Sequence, residues 1–361
     1  MHVVHVKQCN RIDKRQTLKD SMFKRIKQIA AVALGLTSML VQADTIKLAQ
    51  DAPSEYTVVK GDTLWDISAR FLKSPWLWPK VWEVNSQIYN PHLIYPGDVI
   101  YLYWEDGEPR LGRKPGTLVL TPEVKVVPRE EAIASIPLRD VQAFLNDSRV
   151  VDNQMLADAP YVLGGKNQRI LAANDDRVYV RGELLDDSRQ QSLYRPLIEY
   201  VDPNTGESLG YELHRVADAL VRGSEGDTIS VDIRNSTEEV RLKDILIPTG
   251  EAPLVTRFMP RPGPELENVE VIAVLNGVAN IGQFNSVTIN AGEREGIEPG
   301  SVYAIYNRGE EIRDPKTGEK LQLPAERAGE LMVYKAFDKV SYALVMRATE
   351  VIQVGDPLRQ P

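Results

Sequence analysis

Cysteine and histidine are scarce in this chain of 361 residues: Cys9 is the single thiol, and His2 and His5 lie beside it in the first ten positions. Downstream only His92 and His214 remain, too few for a His-rich zinc site. Without thiols the same stretch has no disulfide framework, no Cys-ligated zinc and no cysteine nucleophile. A Ser-His-Asp arrangement would have to use one of those two histidines. His92 follows Asn90-Pro91 in a loop, His214 lies in YELHRVADAL, and no nucleophile-elbow motif is present. NGVANIG, Asn276 to Gly282, lacks the Lys-Ser/Thr of a phosphate loop and reads as a turn. Carboxylates are so plentiful that any pair chosen for glycoside cleavage is uninformative. The inventory favours binding over turnover, with no catalytic residue, cofactor or metal expected.

Long apolar runs are scarce as well. Ile29 to Val41 is the longest, and its 13 residues fall short of the roughly 20 needed for a spanning helix. Lys24, Arg25 and Lys27 precede it and Val41-Gln42-Ala43 follows with small residues, so residues 1–43 read as a signal peptide cut after Ala43, with a membrane anchor as the alternative. Met22, before Phe-Lys-Arg-Ile-Lys, offers an alternative start. Cleavage would remove eight Lys/Arg and two Asp/Glu, taking the net charge from −8 to −14. An acidic chain without a basic, aromatic stripe is a poor partner for nucleic acid.

What is present divides the chain. Residues 44–55 read as a spacer. Over residues 56–103, alternating stretches flank two helical ones, a β-α-α-β pattern. Thr63-x-x-Asp66 resembles a capping box ahead of Leu64, Ile67 and Phe71, which share one helical face. A second helix is expected near Pro79, with Trp78, Val81, Trp82 and Asn85 on one face. After Pro96-Gly97, Val99 to Tyr103 alternates and is expected to pair antiparallel with Tyr56 to Val59. Residues 104–160, with EDGEPRLGRKPG and VVPREEAIASIP, read as a Pro-rich linker carrying a short helix over Leu138 to Leu145. Residues 161–361 hold short alternating runs between Gly, Asn and Asp turns, hence a β-rich region. Asp202-Pro203-Asn204-Thr205-Gly206-Glu207 and Asp314-Pro315-Lys316-Thr317-Gly318-Glu319 echo one another, as do Thr237-Glu238 and Thr349-Glu350, so repeats are expected over about 161–250 and 270–358. The fold class is α+β.

YTVVKGDTLWDISARF followed by WEVNSQIYNPHLIYPGDVIYL strongly resembles the LysM domain, a βααβ module that binds N-acetylglucosamine-containing glycans such as peptidoglycan and chitin. The resemblance implies a shallow groove between two loops, here Gly61, Asp62, Thr63, Leu64 and Trp65 on one side and Asn90, Pro91, His92, Leu93, Ile94 and Tyr95 on the other. Leu64, Leu93, Ile94 and Tyr95 suit the apolar floor, although Leu64 and Ile94 equally suit the core, and Asp62 and Thr63 equally suit capping. LKSPWLWPKVW is longer than the family pattern, and Trp76 in it is a candidate for an extra sugar or protein contact, or for the core.

The whole order of parts, with GQFNSVTINAGEREGIEPGSVYAIY, resembles type IV pilus secretin-associated proteins, whose C-terminal region is similar to a flagellar outer-membrane ring component. That looser resemblance implies a periplasmic protein of a Gram-negative envelope, associated with peptidoglycan and the outer membrane. Its implied partners are peptidoglycan strands and an outer-membrane secretin, with a ring-like oligomer around the latter. The alternatives are a cell-wall hydrolase or a targeting subunit for one, and a general envelope scaffold without a pilus link.

Overall fold

The structure, a computed structural model, describes residues 46–82, 94–114, 134–137, 145, 148–249, 258–275, 281–309 and 311–361. Its N-terminal part is built from β1 (Glu55–Thr57), α1 (Leu64–Phe71), a 3-10 turn (Pro75–Leu77), α2 (Trp78–Trp82), β2 (Val99–Glu105) and β3 (Glu108–Lys114). Thr63 caps α1 reciprocally: its Oγ1 accepts from the Asp66 amide at 3.1 Å, and the Asp66 carboxylate accepts from the Thr63 amide at 3.1 Å. Leu64, Trp65, Ile67 and Phe71 are thereby turned inward. Trp78 and Trp82 meet them from α2 with ring centroids 5.8 Å apart. β1 pairs antiparallel with β2, Tyr56 opposite Ile100.

The sequence pattern left out two parts of this unit. Lys47 and Leu48, in the expected spacer, lie along the end of α1. Lys73 donates to the Lys47 carbonyl at 2.9 Å, and Leu48 bridges Leu72. β3 falls where a linker was expected and pairs with β2 along its whole length. Asp106 and Gly107 both have positive φ, 52° and 82°, the backbone of a two-residue hairpin turn, and Gly112 admits the Tyr101 ring that a Cβ there would strike. The helix expected over Leu138 to Leu145 lies, apart from Leu145, outside the described residues.

The C-terminal part is β-rich. It begins with β4 (Ser148–Val151) and α3 (Asn153–Asp158), followed by β5 (Tyr161–Gly165), β6 (Leu171–Ala172), β7 (Arg177–Arg181), β8 (Gln190–Val201), β9 (Ser208–Glu225), β10 (Thr228–Arg234), β11 (Val240–Arg241) and β12 (Ile245–Pro248). Strands β5, β7, β10, β9, β8 and β12 pair in that order, and β12 returns to β5, closing an antiparallel six-stranded barrel. Val162, Val178, Val180, Leu193, Val231 and Leu246 belong to the apolar cluster of this barrel.

The chain continues with β13 (Arg261–Pro262), β14 (Val271–Val274), β15 (Ser286–Ile289), β16 (Ser301–Asn307), the hairpin β17 (Glu311–Arg313) and β18 (Lys320–Gln322), β19 (Glu326–Ala336), β20 (Ser341–Ala348) and β21 (Leu358–Arg359). Here β14, β15, β20, β19, β16 and β21 follow one another in the same ring order. The ring closes where Leu358 donates to Val269 and Gly355 to Val271, both at 2.7 Å. Leu246 donates to Pro160, and Lys243 to Val162, at the matching seam of the first barrel.

The turn between β8 and β9 fastens the two barrels. Arg294 donates to both oxygens of Glu207 at 2.8 and 3.1 Å, Lys339 reaches Glu207 at 2.7 Å, and Asn204 donates to Glu270 at 3.1 Å. One buried apolar cluster runs from the Trp-rich N-terminal unit through Ile136 to Tyr200, Val302, Met332 and Leu344 of the barrels.

Candidate functional site

The region to be tested is the turn between β1 and α1 and the turn entering β2. Gly61, with φ of 99°, lets the chain leave β1, and Asp62 ties the turn together. The Asp62 carboxylate accepts from the Val59 amide and from the Tyr56 hydroxyl, each at 2.9 Å. Burial, then this bond to Asp62, raises the Tyr56 pKa, while the Arg70 guanidinium stacks 4.3 Å from its ring centroid. In the turn entering β2, the Tyr95 amide donates to Asp98 at 3.0 Å, and Arg113 pairs with the same carboxylate at 3.2 Å.

Helix starts leave amides without intrahelical partners. At α1 the Asp66 amide is taken by Thr63 and the Ile67 amide by the Thr63 carbonyl at 3.1 Å, which leaves Leu64 and Trp65. Both donate to a distant piece of the chain: Leu64 to the Ala134 carbonyl at 2.9 Å and Trp65 to the Ser135 carbonyl at 3.3 Å. Residues 134–137 therefore lie across the start of α1, with Ser135, Ile136 and Pro137 buried. Burying Ile136 contributes about 1.5–3 kcal/mol relative to exposure. The Ser135 hydroxyl is buried without a hydrogen-bond partner among the described residues, at a cost of about 1–3 kcal/mol. The cost of the Ser135 hydroxyl thus offsets part of what the burial of Ile136 and the two backbone hydrogen bonds contribute.

The sequence-expected residues divide accordingly. Gly61 is exposed and Asp62 and Tyr95 are half-buried, whereas Thr63, Leu64, Trp65 and Ile94 are buried. Thr63 caps the helix, and Leu64 and Ile94 have no exposed surface, so their contribution to a groove is confined to backbone. Asn90, Pro91, His92 and Leu93 lie outside the described residues. Trp76 is 4% exposed and belongs to the apolar cluster, its indole nitrogen without a hydrogen-bond partner among the described residues. Sequence reasoning missed Ala134 to Pro137. The signal was Ile136, an apolar residue forced toward an extended backbone by the following proline, inside a charged stretch. Among the described residues no group of three or more His, Cys, Asp or Glu is placed to hold a metal.

What two adjacent helix-start amides can do is receive amide carbonyls, as the segment's peptide groups show. An acetamido group presents the same acceptor.

Comparison with known proteins meets this geometry. The family description for the LysM domain matches residues 56–102. This chain carries a LysM domain. LysM domains bind peptidoglycan glycan strands, which is what the domain suggests here. A stretch of 59 residues is also 41% identical to the uncharacterized protein YqbP of Bacillus subtilis (strain 168), over 14% of this chain and 27% of that protein. The chain thus spans about a quarter of the length of the relative it matches.

Proposed function

We propose that this protein is a non-catalytic peptidoglycan binder whose LysM domain holds N-acetylglucosamine-containing strands while its barrels hold a second component of the cell envelope. The observation that carries the reading is the pair of amides on Leu64 and Trp65, inside the LysM match and aimed at amide carbonyl acceptors. A neutral glycan suits the site because amide donors recognise its acetamido oxygen without charge, in keeping with an acidic chain. The residue inventory downstream of Cys9 supports binding without hydrolysis, and the leader supports export to the periplasm.

The barrels read as one unit and its copy. Their identical ring order supports this, as do their turns: Asp202 accepts from the amides of Asn204 and Thr205, and Asp314 from those of Lys316 and Thr317. Thr237 and Thr349 each bond the carbonyl 21 residues earlier through amide and hydroxyl alike. The partner of the barrels, in this reading, is an outer-membrane secretin of the type IV pilus machine, anchored to the wall through the LysM domain. The order of parts supports it, and so do the exposed Ile312, Leu321 and Leu323 around the β17–β18 hairpin, which suit a protein contact.

Purified protein should sediment with insoluble peptidoglycan and release no muropeptides; reproducible release by hydrolase-free protein would overturn the non-enzymatic reading. A pull-down from envelope extract probed for a secretin tests the partner. Capture of peptidoglycan without secretin would leave a wall-binding scaffold with no pilus link.

A further inference from the structure

The two helix-start amides of the LysM domain are already taken by the protein itself. We propose that residues 134–137 act as an intramolecular stand-in for the glycan, occupying the start of α1 until an N-acetylglucosamine oligomer displaces them, so that the full chain binds more weakly than its open groove would. The proposal rests on the glycan reading above and adds its regulation.

Three observations converge. The Ala134 and Ser135 carbonyls accept from the Leu64 and Trp65 amides, the two helix-start donors in the described turn that no neighbouring group takes. These are amide carbonyls, chemically the same acceptor as an acetamido oxygen, so segment and glycan are mutually exclusive there. Ser135 and Ile136 are 2% and 0% exposed, so the segment is packed against the start of α1 and not merely laid over it. Finally, the Ser135 hydroxyl is buried with no partner among the described residues, a defect that a permanent helix cap would not need and that favours exchange for a ligand able to satisfy every polar group it buries.

The reaction scheme is a population shift. Glycan binds only the form with the segment out, so the apparent affinity of the full chain is lowered by the fraction of time that form is present. Removing the segment's hold should raise affinity without touching a glycan contact. Ile136→Asp does this, since a carboxylate cannot take the place of the buried isoleucine.

The experiment titrates the full chain and its Ile136→Asp variant with soluble chitopentaose, alongside thermal melts. We expect the variant to bind roughly tenfold more tightly, as when a competent state present about one tenth of the time becomes the whole population. Equal affinities, with both proteins folded, would show the segment to be a plain helix cap and overturn the proposal. If neither protein bound chitopentaose or sedimented with peptidoglycan, the glycan reading itself would fall, and the regulation with it.

A second measurement covers the case in which Ile136→Asp fails to fold. Ser135→Cys on a chain cut after Ala43 carries a single thiol, buried while the segment is seated. Its modification by a maleimide should accelerate when chitopentaose is added. A rate unchanged by saturating glycan would contradict displacement.

Discussion

In the barrels each ring strand is bonded on both sides by neighbours of the same ring, whereas at the start of α1 two amides are bonded by carbonyls of a four-residue piece that belongs to neither the LysM sheet nor the barrels. The turns follow the same division. Asp202 and Asp314 satisfy the amides of their own turns. A ladder cannot take a ligand at its backbone without breaking, but a helix start can exchange one carbonyl for another. On the proposed reading, recognition of a neutral glycan belongs at the helix start, while the barrels are suited to holding shape and offering side chains.

The largest test of this division removes a ring. Trp78→Ala empties the centre of the LysM core and is expected to cost about 3–5 kcal/mol, read by denaturant unfolding. A loss below about 1 kcal/mol would mean that the α1–α2 packing does not hold the groove in shape.

On the proposed reading Ile94→Asp should lower peptidoglycan binding at least tenfold, or about 1.4 kcal/mol, by setting an unpaired charge beneath the turn that a neutral ligand meets. Melts must accompany it, because Ile94 has no exposed surface. A folded variant with undiminished binding would remove Ile94 from the site. Thr63→Ala deletes the capping hydroxyl and should cost about 1 kcal/mol in thermal stability. It leaves the Leu64 and Trp65 amides in place, so glycan affinity should change far less than with Ile94→Asp; equal losses would make the cap part of the site.

The smallest effect contrasts the two barrel turns. Arg294 first, then Lys339, holds the Glu207 pKa down to about 2 from an ordinary 4.5. A depressed carboxylate pKa contributes stability that is present above 4.5 and lost as the pH falls toward 2. Glu207→Gln should therefore lower the melting temperature modestly at neutral pH and flatten the acid-dependent loss between pH 4.5 and 2. Glu319→Gln, at the equivalent exposed place, should leave both unchanged. Identical profiles for the two variants would deny the β8–β9 turn its role in fastening the barrels.

Much of this was legible because it is local. Thr63 and Asp66 stand three residues apart and announce the start of α1, and the two Asp-Pro-x-Thr-Gly-Glu turns carry their own acceptors. Tyr56 and Ile100 pair as alternation required, bracketed by the Pro96-Gly97 turn. β3 was obscured because its Asp106-Gly107 turn sits among other glycines, prolines and charges, and because Leu111 is its single apolar core residue while Gly112 makes room for the Tyr101 ring. Barrel closure joins Tyr161 to Ile245 and Val269 to Leu358, pairings no local period encodes. The site was half legible for a related reason. Its loops follow from the LysM pattern, but the burial of Leu64 and Ile94 is a matter of tertiary packing, and the carbonyls on the Leu64 and Trp65 amides come from residues 134 and 135 in a distant part of the chain.

The central claim is that the Leu64 and Trp65 amides are the donors that recognise glycan. Amide-resolved NMR of the protein titrated with chitopentaose tests it most directly. The account predicts that these two resonances shift most, together with those of Ala134 to Ile136 as the segment leaves, while the barrel strands stay still. Saturable binding whose shifts fall in the barrels, with Leu64 and Trp65 unmoved, would contradict it.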